Sequence, residues 1–455
     1  MSLDSKLELM QKAKEATAKT KAYERLMLLF DEGTFVELDA FAKSGENEAE
    51  ALAGFGAVDG CPVYAFAQNS DVSGGAMSKA QAAKIRKVYD LAVKTGTPVI
   101  GLYDSVGARL KEGADMLASF GDMLLFGNNL SGVVPQISVV LGPCLGTSAL
   151  IAASADFVVM SQKGQLAIGT DGQNGSAEQA EQAGLVHITV EDDRQAVAAA
   201  RQLVALLPSN YLSSGTITDF AENTVVAENS DDVYAVINTA VDGGSFVEMQ
   251  KPFGQAVVTG LAKMAGSTVG IVASQPAVNR GTIDADACSK AARLVRFCDA
   301  FAIPVLTFVN SEGFATLKEA SKLSNAYSEA TTVKLAVVTG AAYGPLYIAL
   351  AGRGAGADLT MAWPSAVISP LAPATAAAIL WNDKLKGSEN PIADRAKLVE
   401  EFKEAEASPF VAAAQGYLED IVTPAEMRSK LIAALDMLAG KRVTNLPKKH
   451  ANIQL

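Results

Sequence analysis

GPCLGTSALIAASADFVVM at residues 142–160 and GAAYGPLYIALAGRGAGADLTMAW at 340–363 are two versions of one strand, glycine turn and helix. Two further pairs flank them in the same order. DEGTFVELD at 31–39 returns as DGGSFVEMQ at 242–250, and TPVIGLYDS at 97–105 returns as IPVLTFVNS at 303–311. The offset between copies falls from 211 to 206 to 198 along the chain, so residues are lost in the connections and the order of the anchors is kept. The chain is a tandem duplication. Its 455 residues are too many for one core and suit two domains, assigned here to residues 1–225 and 226–455. The stretch 206–230 has the composition of the linker between them.

Between the anchors, short strands alternate with helices. Gly54–Val58 and Pro62–Gln68 flank an Asp59-Gly60 turn, which is a hairpin signal. A helix follows over Ser78–Thr95, with Lys84, Arg86, Lys87 and Lys94 forming a basic, solvated face. Pro98–Tyr103 and Gln136–Leu141 are continuous apolar strands. Apolar strands separated by helices indicate α/β architecture with a parallel sheet covered on both sides. In the second half a helix at Asp231–Val241 leads into Phe246–Met249. A hairpin turns at Gly266-Ser267, and helix Ala285–Phe301 feeds strand Val305–Val309. Residues 5–30 read as one amphipathic helix with Leu7, Met10, Ala13, Tyr23 and Leu26 on its apolar side. The tail 395–440 reads as helical, and NLPKKHANIQL as an extended end.

Composition narrows the functions. Hydrophobic residues make up 49% and the mean hydropathy is +0.19, which describes a well-buried globular chain. A net charge of −12 without a basic stripe argues against nucleic acid, though a small phosphorylated ligand needs only a few local cations. Cys61, Cys144, Cys288 and Cys298 form no CxxC pair, which fits a reducing, cytoplasmic location. Ile137–Ala155 is uncharged and long enough for a membrane span, but its Gly142-Pro143 and Gly146 favour a buried core.

Histidine, metal and phosphate chemistry have little to stand on. Only His187 and His450 are present, and neither a metal-ligand cluster nor a P-loop is visible. Lys263-Met264 lies in a hairpin strand and lacks the flanking pattern of a biotinylated lysine. Backbone donors are the better candidates. Gly146-Thr147 opens a helix after a buried strand, and free N–H groups with a helix N-terminus suit a thioester oxygen that becomes an enolate. Tyr343-Gly344-Pro345-Leu346 is the corresponding turn of the second copy. A further helix start is expected at Asp104–Arg109, where Arg109 lies either near a docked anion or paired with Glu112.

SGVVPQISVVLGPCLGTSALIAASADFVVM, preceded by GTPVIGLYDSVGARLKEGADML, closely resembles the N-domain of biotin-dependent acyl-CoA carboxyltransferases. These are subunits of propionyl-, methylcrotonyl- and acetyl-CoA carboxylases and of related decarboxylases. GIVASQPAVNRGTIDADACSKAARLVRFCDAFAIPVLTFV resembles their C-domain, and SPFVAAAQGYLEDIVTPAEMRSKLIAAL with PKKHANIQL their C-terminus. The resemblance implies two tandem crotonase-like β-β-α spiral domains. The first would bind acyl-CoA, and the second would meet biotin on a separate carrier protein. It also implies a dimer or trimer of dimers. By position, Gly146 and Thr147 would hold the enolate, Gly344, Pro345 and Leu346 would face biotin, and Gly107, Ala108 and Arg109 would contact substrate.

The match is imperfect at these sites. The family's second N-domain glycine is Thr147, and its GGAR is Val106-Gly107-Ala108-Arg109. Its AYGGAY is Ala342–Tyr347 with Pro345 where an amide donor is expected, and proline has no N–H. VPGF is replaced by Ser311-Glu312-Gly313-Phe314, and the segment between Gly169 and Gly184 is shorter. Carboxyl transfer between carboxybiotin and a short-chain acyl-CoA is the leading reading. The alternatives are a catalytically weak or inactive structural subunit in a hetero-oligomer with an intact paralogue, and a crotonase-like acyl-CoA enzyme that does not use biotin.

Overall fold

The structure is a computed structural model that describes residues 2–43, 49–169, 173–215, 217–221, 223–385, 388–450 and 452. It divides into two compact units, residues 1–216 and 217–455. Among the described residues, neither helix nor strand lies between the helix ending at Leu206 and the one beginning at Val233.

Each unit builds one sheet by the same route. In the first, Ala51–Val58 and Cys61–Gln68 pair antiparallel. Val99–Ser105, Gln136–Leu145 and Phe157–Ser161 then add in parallel. In the second, Val257–Met264 and Ser267–Ser274 form the hairpin. Val305–Ser311, Lys334–Tyr343 and Leu359–Ala362 follow in parallel. The long helices Lys79–Thr95 and Ala285–Ala300 connect hairpin to parallel strands. Each unit therefore has the β-β-α spiral plan that the resemblance implies. The parallel strands are buried along nearly their whole length, which is why they read as unbroken apolar runs.

The first repeated anchor persists because it holds the hairpin turn. Both oxygens of the Asp31 carboxylate accept amides, Asp59 N–H at 3.0 Å and Gly60 N–H at 2.8 Å. Asp242 does the same for Ala265 at 2.9 Å and Gly266 at 2.8 Å. Arg201 clamps Asp31, and Arg428 clamps Asp242. The second turn is thus Ala265-Gly266, one residue before the expected Gly266-Ser267. Met264 pairs with Ser267, leaving two residues for a turn that needs positive φ at both. Their φ values are 48° and 76°, against 49° and 77° at Asp59-Gly60.

Other expectations need correction. The N-terminal helix is two, Leu3–Ala18 and Lys21–Leu29, restarted where the Thr20 hydroxyl accepts the Tyr23 N–H at 3.2 Å. The first buries no residue, so Leu7 and Met10 are exposed and only the second contributes Leu26 to the core. Lys84 is not on a solvated face. It is fully buried, 3.6 Å from Glu37, and donates to the Ala51 carbonyl, while Arg86, Lys87 and Lys94 pair with surface aspartates. Its counterpart Lys290 is buried too and donates to the Phe253 carbonyl at 2.9 Å. Burial pushes the Lys84 ammonium below its ordinary pKa and lowers that of Lys290 to about 8, against the opposing pull of Glu248 and Asp284.

The tail contains the helices Pro391–Ala405, Pro409–Ala414 and Pro424–Leu438, with the short strand Asp420–Ile421 before the last. Lys448 pairs with Glu329 on the second unit, and residues 451 and 453–455 lie outside the described residues. Ile137–Ala155 is strand and short helix, and no helix among the described residues is long and apolar enough to cross a membrane.

Candidate active site at the paired strand ends

The second repeated anchor ends in an irregularity that prepares a site. In both units the parallel register shifts just before the strand ends, between Tyr103 and Ser105 and between Val309 and Ser311. The bulged residue, Asp104 or Asn310, turns its side chain onto the neighbouring strand. A Cβ on Gly142 would lie 2.2 Å from Asp104 Oδ1, and one on Gly340 would lie 2.3 Å from Asn310 Oδ1, so only glycine fits either position.

Beyond the bulge the chain forms a loop braced by a single bridge. In the first unit the Met77 N–H donates to the Gly107 carbonyl, and the Arg109 N–H donates to the Met77 carbonyl, both at 2.9 Å. This parallel bridge is centred on Ala108 and turns the Ala108 amide to the other side, where it has no acceptor among the described residues. The Gly107 N–H is bonded to Ser105 Oγ at 3.1 Å. Gly107 also stands beside the neighbouring strand end, since a Cβ on it would meet the Leu145 carbonyl at 3.8 Å.

That neighbouring strand runs through Leu145 into Gly146 (φ 62°, ψ −128°) and the helix Thr147–Ala153. The Gly146 amide is already engaged, donating to the Ala167 carbonyl at 2.9 Å. Gly146 thus supplies the turn, and the amides of Thr147 and Ser148 have no acceptor among the described residues. The helix has only seven residues, so these local N–H groups outweigh its dipole. Ser148 is 1% exposed and its hydroxyl has no partner among the described residues. Two unbonded amides, Ala108 and Thr147, therefore belong to adjacent strand ends.

The second unit repeats the bridge and the serine–glycine bond of that loop, but the bond from the Val106 N–H to the Gly74 carbonyl at 3.1 Å has no counterpart at Glu312 among the described residues. The Ile283 N–H donates to the Gly313 carbonyl and the Ala315 N–H to the Ile283 carbonyl, both at 2.9 Å, which leaves the Phe314 amide without an acceptor among the described residues. Gly313 N–H bonds Ser311 Oγ at 3.3 Å. The companion strand ends at Tyr343, and Gly344 (φ 47°) opens the helix Gly344–Leu350. Register aligns Tyr343 with Leu145, because each pairs with the last residue of its short outer strand, Ser369 and Ala167. Pro345 consequently stands where Thr147 stands and offers no donor. Leu346 is fully buried, so its side chain belongs to the core.

The Asp104–Arg109 segment is not a helix start. Asp104 and Ser105 finish the strand, and only a short 3₁₀ turn, Leu110–Glu112, precedes the helix beginning at Asp115. Arg109 pairs with the buried Glu50, and Glu112 instead accepts the Lys79 N–H at 2.6 Å. His187 is buried, and its Nδ1 accepts the Val158 N–H at 3.0 Å, a structural role. Burial raises the thiols of Cys144, Cys288 and Cys298 and keeps them protonated. The bracing role of DVSGGAM at 71–77 and PAVNRGTI at 276–283 is not read from the sequence above, although the second lies in the quoted C-domain stretch and their shared position in the two copies is a usable signal.

The family described as carboxyl transferase domain matches residues 13–453 of this chain. The chain belongs to the carboxyl transferase family. It is 38% identical to the methylmalonyl-CoA decarboxylase subunit alpha of Veillonella parvula, over 97% of this chain and 94% of that protein. It is 37% identical to the propionyl-CoA carboxylase carboxyltransferase subunit of Haloferax mediterranei, over 96% and 94%. The crystal structure of transcarboxylase 12S, a hexamer assembly with methylmalonyl-coenzyme A and methylmalonic acid bound, matches with a TM-score of 0.93. That match covers 100% of this chain and 99% of the other at 33% identity.

Proposed function

We propose that this carboxyl transferase family member moves a carboxyl group between a short-chain acyl-CoA and biotin borne on a separate carrier protein. The pair of unbonded amides at Ala108 and Thr147 is the observation that carries the reading. A thioester oxygen placed between them gains two fixed donors as charge develops on it. When the bond from the α-carbon to the carboxyl group breaks, the electron pair moves onto that oxygen and forms an enolate. One preorganised donor of this kind contributes about 3 kcal/mol. The relatives named for methylmalonyl-CoA and propionyl-CoA support a short acyl chain.

Biotin supplies the ureido nitrogen that carries the carboxyl group. On the second unit the Phe314 amide is available to a ureido oxygen and Pro345 contributes nothing. In this reading the partners are a biotin carrier and further copies of this chain, as in the hexameric 12S relative, or a paralogue, in the cytoplasm. Pro345 also favours a second reading, a subunit that scaffolds an intact paralogue without turnover of its own.

Purified protein mixed with methylmalonyl-CoA and biocytin separates the two. Biocytin-dependent formation of propionyl-CoA is expected. Absence of turnover would favour the scaffold, and absence of acyl-CoA binding as well would reject carboxyl transfer by this chain.

A further inference from the structure

The turn that braces the second loop carries a side chain where its counterpart has none. Ser73, Gly74 and Gly75 have φ of 52°, 62° and 72°, and Asn279, Arg280 and Gly281 repeat this with 48°, 55° and 70°. An arginine in the left-handed region is strained, and such strain persists only where the surroundings impose it. They do so here. A Cβ on Gly281 would lie 2.4 Å from the Asn310 carbonyl, so the turn is pressed against the strand end, and Ile283 bridges the loop.

Turn and loop touch at this point. In the first unit a Cβ on Gly74 would reach the methyls of Val106 at 3.4 Å. In the second, Arg280 Nη1 is 3.7 Å from Glu312 Oε2, with the side chains 83% and 46% exposed. Ser311 pairs with Ala342, so Glu312 and Tyr343 are the next residues of adjacent strand ends, and the Tyr343 phenol is raised by burial and then by the Glu312 charge. Tyr343 adjoins Gly344 and Pro345. The uncharged set Gly74, Val106, Leu145 and Thr147 has thus become Arg280, Glu312, Tyr343 and Pro345.

We propose that Arg280 is an oxygen-binding residue of the second unit, its guanidinium supplying the donor that Pro345 removes, with the carbonyl oxygen of a cyclic urea as ligand. The choice of ligand rests on the carboxyl-transfer reading. A guanidinium presents several N–H donors in one plane and keeps its charge. Its exposed pair with Glu312 is weak and exchanges readily for a ligand oxygen. Glu312 serves as the resting counter-ion, and the strained backbone keeps the arginine at the loop.

The test is binding of biotinamide, whose side chain carries no charge, followed by saturation-transfer NMR. Arg280→Gly copies residue 74 and relieves the strain, so the variant is expected to melt no lower than the parent while binding at least tenfold more weakly. Glu312→Val should bind two- to threefold more tightly. Pro345→Thr should restore about tenfold in the Arg280→Gly background and change the parent less than threefold. Parent-like affinity in Arg280→Gly, or no biotinamide binding by the parent, would overturn the proposal. Methylmalonyl-CoA turnover is scored separately. Loss of binding in Arg280→Gly without any turnover in the parent would reject the carboxyl-transfer reading and leave Arg280 in place.

Discussion

Asp104 and Asn310 occupy the same bulge in the two units, yet only one is charged. Asp104 accepts from Arg25 at 2.6 Å and from Ser70 at 2.8 Å, and Arg25 reaches on to Asp193. Asn310 accepts the Ala341 N–H at 3.0 Å and donates to the Ser230 carbonyl at 3.1 Å. In front of the bulge the charges reverse. The first unit shows Gly74, Val106 and Thr147, and the second shows Arg280, Glu312 and Pro345. Glycines hold the close contacts in both, so the backbone geometry survives while charge moves from behind the loop to its face.

The largest expected effect falls behind the loop. Asp104→Ala leaves the buried Arg25 with only Asp193 and should cost about 3 kcal/mol of stability. Asn310→Ala removes neutral hydrogen bonds and should cost about 1 kcal/mol. Denaturant midpoints of the two variants measure the difference, and equal losses would break the contrast.

The buried lysines sharpen it next. Lys290 has a folded pKa of about 8 against an ordinary 10.5. Below pH 8 both the folded and unfolded states are protonated and the burial penalty is present in full. Between pH 8 and 10.5 only the unfolded state holds the proton, so stability should rise with pH by about 3 kcal/mol across that window. Lys290→Met should be more stable than the parent at pH 7 and lack that part of the rise. Denaturant midpoints at pH 7, 9 and 10 give the comparison, and parallel profiles would refute it.

The smallest effect is in the hairpins. Ala265 adopts φ 48° where the first unit uses Asp59. Ala265→Asn creates an Asn-Gly turn and should add about 1 kcal/mol. An unchanged melting temperature would show that the Asp242 clamp already absorbs the strain.

The strands and the duplication were legible because burial on both sides writes continuous apolar runs, and because each anchor has a local task. Asp31 and Asp242 clamp a turn a few tens of residues away, so the motif recurs intact. Long-range partners were hidden. Lys84 reads as part of a basic face, and the Glu37 that accompanies it into the core lies on another element. Arg109 had a local candidate in Glu112, but the structure pairs it with Glu50. The loss of the donor at Pro345 was readable from one residue's chemistry. Which amides remain unbonded was not, because the Gly146 amide is taken by Ala167 and the Ala108 amide is turned out by Met77.

The most direct measurement is the reciprocal exchange at the two helix starts, Thr147→Pro and Pro345→Thr, with kcat followed on methylmalonyl-CoA and biocytin. Proline is tolerated in the first turn of a helix, so the first change removes one N–H and little else. We expect Thr147→Pro to lower kcat by about a hundredfold or more. Pro345→Thr should change it less than threefold. Full activity in Thr147→Pro would contradict the account.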